Sequence, residues 1–178
     1  MGATIEKVVA GEANGHLIRK DLNYIVFEYF PRGDAFALLA EQGPLRRELL
    51  AQYFTQLLDT LEFLHEEKKL AHLDIKLENI LLTDKGVKLC DFGFSESVDK
   101  PISLKKGTDN YMAPEVYHSR GSPFKGAAAD IFSLGVLLFI FLFGTPPFAS
   151  ATESDPFYRG FEKGFPKVFF RTHPKVKR

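Results

Sequence analysis

The sequence has one cysteine, Cys90, and no excess charge of either sign: lysine plus arginine number 23, and so do aspartate plus glutamate. A single thiol closes no internal disulfide, and Met1 opens onto no apolar signal-peptide core, so a reducing, intracellular and cytoplasmic setting is expected. Balanced charge gives no long-range field to draw the chain onto nucleic acid or an anionic membrane, and neither is expected as a partner. A membrane-length apolar run is also missing. Residues 131–143 are nearly all apolar, but Ser133 and Gly135 interrupt them, Asp130 precedes them and Gly144-Thr145-Pro146-Pro147 stops them. That falls short of the roughly 20 residues a bilayer requires, so the run reads as a buried core helix and no membrane span is expected. Met1-Gly2 begins like a myristoylation start, but Glu6 stands where Ser or Thr is needed.

What is present suits one domain: 178 residues that are 45% hydrophobic can bury a core. Residues 24–29 (Tyr-Ile-Val-Phe-Glu-Tyr) are β-branched and aromatic and end at Pro31-Arg32-Gly33, which predicts a buried strand running into a turn. Residues 5–9 suggest another. After Gly43-Pro44, with the proline in the first turn, Leu49, Leu50, Tyr53, Phe54, Leu57, Leu58, Leu61 and Leu64 recur at helical spacing and predict a long amphipathic helix. Ile80-Leu81-Leu82 and Val87-Lys88-Leu89 flank Asp84-Lys85-Gly86, which is hairpin chemistry. From Glu162 onward, basic residues among Phe165, Phe169 and Phe170 read as a solvated helix face.

The residues that carry chemistry crowd the ends of that hairpin. His72-Leu73-Asp74-Ile75-Lys76-Leu77-Glu78-Asn79 puts a carboxylate, an ammonium and a carboxamide in one loop, and Asp91-Phe92-Gly93 adds a second carboxylate. Phosphoryl transfer needs such a mixture: an acceptor to orient the attacking hydroxyl, hard oxygens for Mg²⁺, and a cation against developing charge. The loop resembles the protein-kinase H-R-D-x-K-x-x-N motif, Asp91-Phe92-Gly93 resembles D-F-G, and Ala113-Pro114-Glu115 matches A-P-E, all in kinase order. Lysine two places after the aspartate, with Gly107-Thr108 before Ala113, is similar to serine/threonine kinases.

The resemblance implies a fold and roles. The fold is α+β and mostly helical: an incomplete kinase C-terminal lobe over residues 31–178, with a hinge strand and a remnant of the N-lobe sheet over 1–30. Asp74 would be the base, Lys76 the cation, and Asn79 and Asp91 the magnesium ligands. Adenine would meet backbone groups of Glu28 and Phe30, Leu81 would also belong to the cofactor site, and Asp34 would reach ribose or substrate. Thr108 would bond near Asp74 and Lys76, and Glu78 would face basic residues upstream of the target hydroxyl. His72, Phe92, Gly93, Glu115 and Asp130 would be structural, with His72 beneath Phe92 and Asp130 bracing the catalytic loop. Cys90 would lie near the nucleotide, a small buried residue before a reactive one.

The resemblance has gaps. No G-x-G-x-x-G or phosphate-binding lysine precedes the hinge strand, Glu115 is expected to lack its arginine partner, and Leu73 replaces the motif's arginine. No activating phosphorylation is therefore expected. Two functions are implied. One is ATP- and Mg²⁺-dependent phosphorylation of protein serine or threonine, this chain being part of a longer kinase; the other is a non-catalytic kinase-like interaction module. Exposed apolar lobe surface would in either case suit a covering partner.

Overall fold

The computed structural model describes residues 28–119, 121–164, 167, 169 and 170. The chain forms two compact units, residues 1–31 and 32–178. Most of the first, including the expected strand at 5–9 and residues 24–27 of the second expected strand, lies outside the described residues. Its described end corrects the strand reading, because residues 28–30 have no regular structure and Tyr29 is 83% exposed.

The second unit opens with a helix the sequence reading missed, α1 (Ala35–Gln42). Both ends were signalled. Asp34 Oδ1 accepts from the Ala37 N–H at 2.8 Å, and Gly43, at φ +74°, closes the helix with its N–H on Leu39 O. That stop displaces the next helix: α2 (Arg47–Glu62) begins three residues after Pro44, which is therefore not in its first turn. Most of the expected apolar stripe turns inward, with Leu50, Tyr53, Leu57 and Leu61 buried, but Leu58 lies on the outer face and is exposed. One π-helical turn, Phe63–Glu67, extends α2 and carries buried Leu64 and His65.

Two small antiparallel sheets come next among the described residues. β1 (Leu70–Ala71) pairs with β4 (Glu96–Ser97), while β2 (Ile80–Thr83) and β3 (Gly86–Leu89) form the predicted hairpin. The hairpin tip docks on α2 through an amide that mimics a peptide group: Gln56 Oε1 accepts from Val87 N–H and Nε2 donates to Lys85 O, both at 2.9 Å. Gly86 leaves room for this contact, since a Cβ there would fall 1.9 Å from Gln56 Oε1.

The chain then passes through α3 (Pro114–Tyr117) to α4 (Gly126–Phe143) and α5 (Pro156–Glu162). The predicted core helix thus starts earlier than its apolar run and places Asp130 inside it, fully buried. By length and composition α4 could cross a membrane. Here Leu134, Leu137, Ile140 and Phe141 pack against Leu57, Leu61, Ile75 and Ile80, each such side chain contributing roughly 1.5–3 kcal/mol by leaving water. Gly144, at φ +73°, ends the helix, and Leu45 N–H satisfies the Phe141 carbonyl at 2.8 Å. The expected solvated tail is only partly so: Lys163, Lys167 and Phe170 are exposed, but Phe169 is buried against Phe139, Phe157 and Phe161.

Candidate active site

α4 sets the geometry of the loop that joins β1 to β2. The Asp130 carboxylate accepts from His72 N–H and Leu73 N–H, both at 2.7 Å, and from His65 Nε2 at 2.8 Å. The turn this enforces is strained: Leu73 sits at φ +67°, a left-handed conformation that costs a branched residue ~1–2 kcal/mol. Its side chain joins Ala71, Ile102, Met112, Val116 and Phe124 in a second apolar cluster.

His72 is ordered at both ring nitrogens. Nδ1 accepts from Asp74 N–H at 3.2 Å, so the hydrogen is on Nε2, which donates to Cys90 O at 2.9 Å. Its ring meets Phe92 edge-on, with centroids 4.9 Å apart. One imidazole therefore ties the start of the loop to the segment after the hairpin.

Asp74 is 5% exposed, and both its oxygens are taken. Oδ1 accepts from Thr108 Oγ1 at 2.7 Å; Oδ2 meets Lys76 Nζ at 2.7 Å and Asn79 Nδ2 at 3.2 Å. Lys76 also donates to Thr108 at 3.3 Å, closing a three-membered polar unit. The hydrogen bond to Asp74 holds the Lys76 ammonium above its ordinary pKa, against a smaller opposing effect of burial. Tyr111 supports the loop from beneath. Its hydroxyl accepts from Leu77 N–H at 3.4 Å, its carbonyl accepts from Ser133 Oγ at 2.8 Å, and burial pushes its pKa up to about 12.

The hairpin brings Asn79 and Asp91 to the same end of the unit, with Cys90 N–H on Asn79 O at 2.9 Å. Asn79 Nδ2 also donates to Asp74 O at 2.8 Å, which leaves the carboxamide oxygen as a hard acceptor. Asp91 is exposed, at φ +59°, with Oδ1 accepting from Gly93 N–H at 3.2 Å. Among the described residues no three His, Cys, Asp or Glu side chains form a ready metal cage. An amide oxygen and one carboxylate fit Mg²⁺, which binds few protein oxygens and keeps its remaining positions for water and phosphate.

The other expected site residues are more scattered. Asp34 and Leu81 are joined by a backbone bridge, and Asp34 Oδ1 is committed to capping α1. Glu78 and Glu115 are exposed, and no ion pair of Glu115 occurs among the described residues. Phe92 and Gly93 are exposed, and Cys90 is half-buried, its thiol pKa raised by burial first and by Asp91 next, which disfavours the reactive thiolate. Glu28, exposed, and Phe30, half-buried, belong to the unit 1–31. His65, Tyr111 and Ser133 escaped the sequence reading; a histidine closing a helical apolar stripe was the one visible hint.

Comparison with known proteins agrees with the motif order. The family model for the protein kinase domain matches residues 11–177. CBL-interacting protein kinase 31 of Oryza sativa subsp. japonica is 41% identical over 131 residues, covering 70% of this chain and 28% of the relative. Serine/threonine-protein kinase kin-29 of Caenorhabditis briggsae is 38% identical over 135 residues, 74% of this chain and 16% of its own length. Serine/threonine-protein kinase SIK1 of Mus musculus is 37% identical over 132 residues, 72% and 17% respectively. The chain thus spans less than a third of these relatives. With the catalytic-loop, D-F-G and A-P-E sequences in order and a family match over nearly its whole length, the chain belongs to the serine/threonine protein kinase family.

Proposed function

We propose that the chain transfers the γ-phosphoryl group of ATP to serine or threonine hydroxyls of proteins, with residues 31–178 as C-lobe and 1–30 as hinge and N-lobe remnant. The observation that carries this reading is the unit of buried Asp74 with half-buried Lys76 and Thr108, fixed beside Asn79. In it Asp74 orients the substrate hydroxyl and accepts its proton, while Lys76 sets a positive charge where the transferred oxygens gather. Asn79 and Asp91 would hold Mg²⁺, which when bound neutralises phosphate charge. Leu81 and Asp34 are assigned to the nucleotide, and the backbone of Glu28 and Phe30 to adenine on motif order alone. Exposed Glu78 favours basic residues upstream of the target hydroxyl.

A second reading, a kinase-like interaction module, is favoured by exposed Ile131 and Leu142 on α4, which suit a protein partner. Several relatives are named for interaction with CBL, but kin-29 and SIK1 are not, so the partner is specified only as protein.

Magnesium-dependent transfer from labelled ATP to matched serine peptides, with and without upstream arginine, tests both. Transfer abolished by Asp74→Asn supports the enzyme. Binding without transfer supports the module, and equal rates on the two peptides would remove the role given to Glu78.

A further inference from the structure

The segment from Phe94 to Thr108 brings Thr108 onto Asp74 and is fastened at few points. Glu96, in β4, is paired with Ala71, the residue before His72. Ile102 exchanges backbone hydrogen bonds with Phe124, at 3.4 and 2.9 Å, and both side chains are buried beside Leu73. Gly107 lies against Leu73, so close that a Cβ would be 2.7 Å from the Leu73 carbonyl oxygen. Between these points the Lys106 ammonium bonds to the Glu96 carboxylate, ten residues apart. The Lys106 side chain is 22% exposed; Lys105, which pairs with Asp109, is 47% exposed. The first pair is therefore the less screened by water.

Position gives this pair its meaning. Glu96 is fixed by backbone pairing to the strand that enters the catalytic loop, and Lys106 immediately precedes the Gly107-Thr108 that reaches Asp74. An ion pair between them ties the segment's far end to the same loop its near end is paired with. We propose that Glu96 and Lys106 are positioning residues, an internal latch that keeps Thr108 on Asp74 with no chemical modification of the segment. Its consequence for catalysis rests on the kinase reading; the latch does not.

The experiment compares the full chain with Glu96→Gln, Glu96→Lys, Lys106→Glu and the Glu96→Lys/Lys106→Glu charge swap. Thermolysin cleavage beside Leu104, 67% exposed, reports opening of the segment, and peptide phosphorylation reports its effect on the site. Each single variant should be cut about fivefold faster, the change expected of a partly buried ion pair, with a matching fall in kcat at unchanged peptide KM, and the swap should restore both. Glu96→Gln keeps the shape and serves if a charge reversal prevents folding. Wild-type cleavage rates in the single variants, or a swap no better than they are, would overturn the latch. If the unaltered chain phosphorylates nothing, the functional reading fails and cleavage alone decides the latch.

Discussion

Asp74 and Asp91 are the two carboxylates of one proposed site, and the chain holds them in opposite ways. Asp74 is buried and accepts from Thr108, Lys76 and Asn79, in a loop whose backbone is held in turn by Asp130 of the core helix. Asp91 is exposed and, among the described residues, its carboxylate bonds only to Gly93 in its own turn. One acid is placed by the core before any ligand arrives; the other is left for its ligand to place. A base must meet an incoming hydroxyl in a fixed direction, whereas a metal ligand can be drawn in by the charge it binds.

Substituting each acid by its amide should separate them most strongly. Asp74→Asn should lower kcat by about 10²–10⁴-fold at every magnesium concentration, while the loss in Asp91→Asn should be partly recovered as magnesium is raised. Peptide phosphorylation across a magnesium titration reads both. The same recovery in the two variants would erase the distinction.

The support beneath Asp74 comes next. Asp130→Ala strands two buried N–H groups and should cost about 3–5 kcal/mol in urea unfolding, against roughly 0.5 kcal/mol or less for Ser97→Ala on the outer segment.

Two glycines sharpen the contrast at smaller scale. Gly107→Ala imposes φ +111° on a side chain whose Cβ would strike Leu73 O, and should cost about 1–3 kcal/mol as well as activity. Gly93→Ala meets only Asp91 Oδ1 at 3.1 Å and should change stability less.

The smallest effect is a pH dependence. Because the folded-state pKa of Lys76 is raised, its stabilisation is fully present below the ordinary value of 10.5 and is lost as pH rises through the raised one. The stability difference between wild type and Lys76→Met should therefore be flat through neutral pH and shrink only above about 10.5. A difference that shrinks near neutrality would show that Lys76 is not held by Asp74.

Where local chemistry decides structure, the sequence was legible. Asp84-Lys85-Gly86 announced the hairpin, and the Leu49-to-Leu64 spacing announced α2. The same local chemistry marks α1, since Asp34 and Gly43 are ordinary cap residues; assigning Asp34 to the nucleotide hid its capping role. The resemblance named the catalytic loop together with Asp130 as its brace and Thr108 beside Asp74, but not the supports His65, Tyr111 and Ser133. Asp130 and His65 are 65 residues apart, and Thr108 and Asp74 are 34, and only the packing of α2 against α4 and the path of the segment bring them together. Phe169 is a similar case: a row of basic residues hid one aromatic that folds back onto its neighbours.

The π-helical turn at Phe63–Glu67 makes the length of this chain part of its chemistry. Such a turn amounts to one residue more than the α-helix would use, and each residue rotates the chain beyond it by about 100°. Deleting Phe63 would leave a more regular helix yet swing His65 off Asp130, and deleting Glu66 or Glu67 would shift the entry to β1 by a register. A gap at exposed Phe63, Glu66 or Glu67 should be less well tolerated than a substitution there, so an indel scan would find a sensitive point where substitution of these three finds little.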